Sequence, residues 1–267
     1  MKRQDAMTSA QTMLSRAMLS WLLLGALLAP AGCTQSKKEE LLIAPRSLVA
    51  PYDAVGGEVL WAVVPLANES GTTEADRSSA SDALVAAIEE TQGLRCVPLN
   101  RTIAAMRALK MNGLRGPGDV RRLADAMGVD GVVIGAVTAY DPYTPAIGIS
   151  IALYARTGAM NRVSPGVDPH ELASRPTEAG AARPALRDAP VATASENLDA
   201  KNHQVLMDLK AYAEGRHDQP SALGWRRYTA SMDLYTQFAA YHAVDRLLES
   251  EWVRLARVEP RGEHDSR

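Results

Sequence analysis

An alternation of apolar and small residues near the middle of the chain constrains the fold more than any other feature of the sequence. Two sets of side chains alternate there: Ile147, Ile149, Ile151 and Leu153 in one set, and Gly148, Ser150, Ala152 and Tyr154 in the other. Side chains of a β-strand point alternately to its two faces. A period of two with one aliphatic face therefore predicts a strand that packs on a hydrophobic core.

Three short apolar runs precede this strand, at residues 59–66, 94–99 and 131–140. The first of these runs is nearly continuous, which is typical of a strand buried on both faces. Segments with helical spacing separate the runs; Ser79 or Ser81 is a candidate N-cap, and Gly128 a candidate helix end. Strands alternating with helices predict an α/β fold with a mixed sheet and right-handed crossovers. We expect a three-layer body of about four strands flanked by helices over residues 58–155, with the fourth strand antiparallel to the third.

The chain changes character after this α/β region. Residues 156–194 are rich in Pro and Ala without usable periodicity, which predicts a long surface loop or linker. Residues 195–258 show helical spacing and predict C-terminal helices that pack on the α/β domain. A disordered tail is expected over residues 259–267.

The longest amphipathic segment, residues 221–257, carries six of the thirteen aromatic side chains of the chain. At 100° per residue these aromatics cannot share one narrow stripe of a helix, so we expect them to contact two surfaces. Two interpretations stay open: the helix completes the core as its missing layer, or it is a docking surface for a partner protein. Phe238, Tyr241 and Trp252 are the candidate partner-binding residues.

The beginning of the chain combines basic residues with an apolar run at residues 17–29. This run is about a dozen residues long, whereas a membrane-spanning helix needs roughly 20. It therefore predicts a signal peptide over residues 1–32 rather than a transmembrane anchor. A buried N-terminal helix and an ordinary secretory signal are the alternatives.

Residues 29–33 (Ala-Pro-Ala-Gly-Cys) resemble the bacterial lipobox, with a departure at Pro30, where an aliphatic residue is favoured. The resemblance implies that Cys33 receives a diacylglycerol and ends with three acyl chains, enough for stable anchoring. It also implies that Thr34, which is not Asp, is compatible with sorting to the outer membrane, facing the periplasm. The polar and Pro- and Gly-punctuated residues 33–57 predict a tether.

The sequence carries no pattern for catalysis or metal binding. Its histidines are scattered without metal-ligand spacing, and the Gly-x-Ser-x-Gly motif is absent. Cys96, the second of two cysteines, alternates as a small buried strand residue. A net charge of -2 without a basic stripe argues against nucleic acid as a partner. We predict no cofactor, no metal and no catalytic residue.

Polar residues nevertheless follow two of the expected strands. Asn68, Glu69 and Ser70 come after the first strand, and Asp141 comes after the third. Open α/β sheets bind ligands outside the carboxyl ends of their strands. A small-molecule-binding or enzymatic domain with its site at these residues is therefore the alternative function.

Three stretches carry a family resemblance: residues 63–68 (Val-Val-Pro-Leu-Ala-Asn), 94–98 (Leu-Arg-Cys-Val-Pro) and 123–137 (Leu-Ala-Asp-Ala-Met-Gly-Val-Asp-Gly-Val-Val-Ile-Gly-Ala-Val). They resemble the bacterial lipoprotein superfamily of the curli-secretion channel protein and the penicillin-binding-protein activator lipoproteins. They are also similar to the N-terminal domain of the Tol-system propeller protein. The resemblance covers roughly residues 58–155.

The resemblance implies a three-layer α/β fold that works in the cell envelope by binding other proteins. It transfers no site residues, because the shared positions are core and turn positions. The sequence departs from the channel branch after Tyr154, where no ten-residue alternating strand of a membrane barrel follows. We therefore expect a membrane-anchored, non-enzymatic accessory or assembly factor whose partner is another envelope protein.

We expect the Cys33→Ser variant to leave the membrane fraction, because the thiol that carries the lipid is lost. Mass spectrometry of the wild-type protein should find the lipid mass on Cys33. Cys96→Ser is the matched control and should stay membrane-bound. An uncleaved wild-type chain with an unmodified Cys33 would contradict the prediction.

Overall fold

The computed structural model describes residues 44–52, 57–156, 160, 186–217 and 222–258. The predicted signal peptide, Cys33, most of the tether, most of the Pro- and Ala-rich segment and the C-terminal tail lie outside the described residues. The predicted domain boundaries therefore stay predictions.

One mixed sheet of six strands organises the described chain. Its order is β3-β1-β4-β5-β6, with the short β2 also paired to β4. The strands β1, β3 and β4 run parallel, whereas β5 is antiparallel to β4 and β6 is antiparallel to β5. The strands are β1 (Val59–Val63), β2 (Ala67–Asn68), β3 (Leu94–Val97), β4 (Gly131–Asp141), β5 (Ala146–Ala155) and β6 (Ala192–Asp199).

Helices cover both faces of this sheet. A large apolar cluster joins α1, α4 and α6 to one face, and a smaller one joins α2 and α3 to the other. The predicted α/β class and three-layer arrangement are confirmed. The helices are α1 (Arg77–Glu89), α2 (Leu99–Ala108), α3 (Pro117–Met127), α4 (His203–Ala213), α5 (Arg227–Ala230) and α6 (Met232–Val258), with a 3-10 turn at Gly224–Arg226.

The alternating strand is β5, and its predicted aliphatic face is buried. The members of that face are at most 1% exposed: Ile147, Ile149, Ile151 and Leu153. They belong to the same apolar cluster as the α6 residues Tyr235 and Phe238. The long C-terminal helix is therefore the layer that covers this face.

The helix ends agree only in part with those predicted from the sequence. Gly128 ends α3 in the left-handed conformation at φ 67°, as predicted. The N-cap of α1 is Asp76, whose Oδ1 accepts from the backbone N–H groups of Ser78 and Ser79. The expectation of Ser79 or Ser81 was wrong, because the helix begins earlier, at Arg77, and the Asp76 carboxylate caps the first free amides of the helix.

The strand β6 was not predicted. It lies across the boundary between the predicted linker and helical region, and its inward side is Ala192, Ala194, Glu196 and Leu198. Alanine has low strand propensity, and a carboxylate on the inward side breaks the apolar pattern. Pairing with β5, rather than local preference, makes this segment a strand.

The C-terminal amphipathic segment is interrupted at Ser231, whose φ of −132° and ψ of 117° are extended. The helix α6 begins after it and has 27 residues, or about 40 Å at 1.5 Å per residue. Phe238 on this helix is 1% exposed, with its ring centroid 5.6 Å from that of Tyr212. Phe238 is therefore a core residue, and its proposed docking role is corrected. Trp252 is 42% exposed.

We expect Phe238→Ala to lower the free energy of unfolding by about 3–5 kcal/mol, because the deletion leaves a cavity between α6 and α4. Trp252→Ala on the same helix is the control and should cost under about 1 kcal/mol, since much of its ring already contacts water. Denaturant titration of both variants checks this. Equal costs would show that α6 does not pack as described.

Candidate functional site

The predicted ligand site after the first strand is occupied by a local turn. The Asn68 Oδ1 accepts from the Ser70 backbone N–H at 3.1 Å and from its hydroxyl at 2.6 Å. The Asn68 Nδ2 donates to the Thr72 carbonyl at 2.7 Å, and the Glu69 N–H donates to the Val137 carbonyl. The Asn68 and Ser70 side chains stabilise the exit from β2, so their polar atoms already have partners.

Asp141 likewise stabilises a local turn, at the end of β4. Its Oδ1 accepts from the N–H groups of Tyr143 and Thr144 at 2.9 and 3.1 Å, in the turn between β4 and β5. These backbone hydrogen bonds hold the pKa of the Asp141 carboxyl below its usual value. Within the described residues, nothing at Asn68, Glu69, Ser70 and Asp141 supports a small-molecule site, which stays a prediction.

A groove between α1 and α6 is a concave feature of the described surface. It encloses about 480 Å³ and has Ala83, Ala86 and Ala87 along its α1 wall. Alanine side chains end at Cβ, so two packed helices leave space where one of them presents alanines. Asp233, Gln237 and Tyr241 of α6 and Tyr212 of α4 line the other side.

A second cavity of about 560 Å³ continues the groove. Both cavities are lined by Glu90, Tyr212, Gln237 and Tyr241. The second one extends to Arg216, Tyr228 and the segment at residues 44–48. The two cavities therefore form one elongated surface depression, which we call the α1/α6 groove.

An arginine held between tyrosines forms the end of the groove. The guanidinium carbon of Arg216 lies 4.4 Å from the Tyr212 ring centroid and 5.0 Å from that of Tyr241. Its Nη atoms donate to the carbonyls of Tyr212 and Arg46 and to a Glu90 carboxylate oxygen, at 3.1 to 3.2 Å. Cation–π contact and charged hydrogen bonds together fix this side chain.

This cluster also fastens the segment that enters the body. The Tyr241 hydroxyl donates to the Arg46 carbonyl at 3.2 Å, beside the Arg216 bond to the same atom. Leu48 and Ala50 then pair with Gln92 through backbone hydrogen bonds of 2.9 Å. The chain thus reaches the sheet along the rim of the groove.

Carboxylates dominate the other end of the groove. Asp76, Asp82 and Asp233 line it, and Glu90 lies farther along. Their negative field is felt by Tyr140, whose pKa is raised first by burial and then by Asp233 and other acidic side chains nearby. Burial raises the pKa of Tyr212 to about 12, so its phenol is neutral at physiological pH.

Groups suited to catalysis are sparse in the described part of the chain. Burial raises the pKa of the Cys96 thiol to about 12, so it is not a reactive thiolate. Among the described residues no group of three or more His, Cys, Asp or Glu side chains could hold a metal ion. None of the helices within those residues has the length and hydropathy to cross a membrane.

The sequence brought out one residue of the groove and missed the others. Tyr241 was predicted as a partner-binding residue and lies in the groove, whereas Phe238 lies beneath it in the core and Trp252 lines neither cavity. Asp82 and Asp233 were missed because exposed acids are common on helices. Only packing brings α1 and α6 together.

Comparisons with known proteins give structural likeness alone. No family model and no curated protein matches the chain. Similar solved structures include the LpoB C-terminal domain from Salmonella enterica (10% identity, 57% of this chain and 86% of that one, TM-score 0.35). Another is lipoprotein GNA1162 from Neisseria meningitidis (16% identity, 57% of this chain and 94% of that one, TM-score 0.34). A third is the PelC dodecamer from Paraburkholderia phytofirmans (13% identity, 77% of this chain and 94% of that one, TM-score 0.32). At these identities and TM-scores the likeness assigns this chain no family and gives none of its residues a role, so the predicted resemblance to envelope lipoproteins stays a prediction.

We expect Arg216→Met to destabilise the protein by about 1–3 kcal/mol, because the charged hydrogen bonds to two carbonyls are lost while the aliphatic stem is kept. The amides of Ala50 and Gln92 should also exchange faster with deuterium, since they hold the entering segment. Arg226→Met is the control: Arg226 is exposed beside Trp225 and should cost under about 0.5 kcal/mol. Unchanged exchange in Arg216→Met would contradict the fastening role.

Proposed function

We propose that this chain is a lipid-anchored lipoprotein of the cell envelope that binds another envelope protein and has no catalytic activity. The α1/α6 groove is the single observation that carries the proposal. The lipobox resemblance at Cys33 supports the anchor, and Thr34 supports placement at the outer membrane, facing the periplasm.

The chemistry of the groove suits recognition of a protein. Tyrosines are enriched at protein interfaces, because one side chain supplies a large apolar area and a hydroxyl. Tyr212 and Tyr241 are held in place by Arg216, so binding would cost little side-chain entropy. Carboxylates and amides around them supply the polar rim that interfaces have.

A lipid anchor and a protein-binding groove would serve complementary roles in binding a membrane partner. The anchor confines the protein to a surface, which raises its effective concentration near membrane partners. The groove then selects among them. This division requires no reaction at the groove, in keeping with the inert thiol of Cys96.

Photo-crosslinking in intact envelopes tests the proposal. Ala86 is exposed and lines the groove on α1, and Ala104 is an exposed alanine on α2, which covers the other face of the sheet. We expect a photo-reactive amino acid at position 86 to capture a discrete envelope protein, and the same amino acid at position 104 to capture none. The Cys33→Ser variant should lose the capture with its membrane attachment.

The same captured protein from both positions would refute recognition through the groove. No capture from position 86 in a folded, membrane-bound protein would refute the partner-binding function. Capture that persists fully in Cys33→Ser would show that the anchor does not serve binding.

A further inference from the structure

We propose that the α1/α6 groove receives an extended, positively charged segment of the partner, whose Lys or Arg side chains pair with Asp82 and Asp233. This inference rests on the proposed function and adds the chemistry of the segment that is recognised. It follows from the charge, the aromatic content and the shape of the groove.

The charge of the first cavity of the groove is of one sign, whereas Arg46 and Arg216 line the second cavity. The first cavity is lined by Asp76, Asp82, Glu90 and Asp233, and no Lys or Arg is among the described residues that line it. The whole chain has a net charge of only -2, so this negative charge is local. A cleft lined by one sign of charge attracts segments of the opposite sign.

Two of these carboxylates remain available. Glu90 pairs with Arg216, and one oxygen of Asp76 caps α1. Asp82 and Asp233 are exposed on opposite walls and form no ion pair with other described residues. A cation between the two walls would neutralise both.

Arg216 already displays the recognition that we infer. Its guanidinium lies against the rings of Tyr212 and Tyr241 and pairs with the Glu90 carboxylate. Aromatic faces beside carboxylates are a favourable environment for guanidinium and ammonium groups. An incoming basic side chain would meet exposed carboxylates in a lining that also includes Tyr212 and Tyr241, which are 8% and 7% exposed.

The dimensions favour a peptide over a single ion. A volume of about 480 Å³ lies within the 300–1,000 Å³ range of ligand sites. The second cavity prolongs it past Gln237, whose side chain carries both a donor and an acceptor for a peptide backbone. An extended segment of several residues fits an elongated groove of this kind.

Binding of defined peptides to the full-length lipidated protein in detergent micelles tests the inference. The probe is a blocked, fluorescent peptide of alternating Arg and Ala, and its counterpart has Glu in place of Arg. The variant Asp82→Asn with Asp233→Asn removes the two available charges. Its charge-matched control is Asp188→Asn with Glu214→Gln, which changes exposed carboxylates that line neither cavity.

We expect the Arg peptide to bind more tightly than the Glu peptide and to weaken as salt is raised. The groove variant should raise Kd by about fivefold or more, and the control by less than about twofold. Excess Arg peptide should also suppress photo-crosslinking from position 86. Thermal unfolding of both variants verifies that the fold is kept.

Equal binding of the two peptides, or equal loss in the groove variant and the control, would overturn the inference. Capture from position 86 that the Arg peptide does not suppress would leave the partner-binding function intact and refute the cationic occupant. Concentration-dependent self-association through position 86 would identify a second copy as the occupant and refute it as well. Peptide binding without any captured protein would instead refute the proposed function.

Discussion

The packing of α6 across β5 and β6 is the contact on which the rest of the structure depends. The aliphatic face of β5 would be exposed without it, because α2 and α3 cover the opposite side of the sheet. Each aliphatic side chain fully removed from water contributes about 1.5–3 kcal/mol. Tyr235 and Phe238 fill the interface from the helix, and the Tyr235 hydroxyl donates to the Leu198 carbonyl at 3.2 Å. The same helix forms one wall of the groove, so the surface proposed for binding is a consequence of how the core closes.

A buried carboxylate ties the far end of α6 to the chain that enters the body. Glu251 is 0% exposed, and an unpaired buried charge would be strongly destabilising. Arg254 pairs with both carboxylate oxygens of Glu251 at 2.7 Å, and the Tyr52 hydroxyl donates to the same carboxylate at 2.9 Å. Burial, reinforced by Glu251, raises the pKa of Tyr52. Arg216 and Tyr241 hold the same entering segment nearer the groove, so residues 44–52 are fixed to α6 at two places.

A groove built in this way favours binding over catalysis for a physical reason. Its polar side chains include exposed carboxylates, an amide, serine hydroxyls and the ion-paired guanidinium of Arg216, and the pKa values of its Tyr212 and Tyr241 phenols are raised. Catalysis requires nucleophiles or acids and bases poised near the working pH, held away from water. Recognition is favoured by fixed side chains with complementary charge around them, and the groove has the fixed, largely buried Tyr212 and Tyr241 beside exposed carboxylates.

The sequence by itself determined the elements whose pattern is local. The alternation in β5 shows which face is buried, and the glycine at 128 places the end of α3 in its required left-handed conformation. The signal peptide and the lipid on Cys33 are also sequence inferences, because the lipobox is a linear pattern. These features depend on neighbours along the chain, so spacing alone suffices to predict them.

Only the tertiary structure decided the burial and the contacts of residues whose sequence pattern is ambiguous. Phe238, Tyr241 and Trp252 share an amphipathic helix, yet Phe238 is buried in the core, Tyr241 is 7% exposed at the groove and Trp252 is 42% exposed. The strand β6 exists because β5 pairs with it, despite its alanines and Glu196. Asp82 and Asp233 are more than a hundred residues apart and face one groove only after α1 and α6 pack. Such juxtapositions arise from long-range burial, which leaves no periodic trace in either segment.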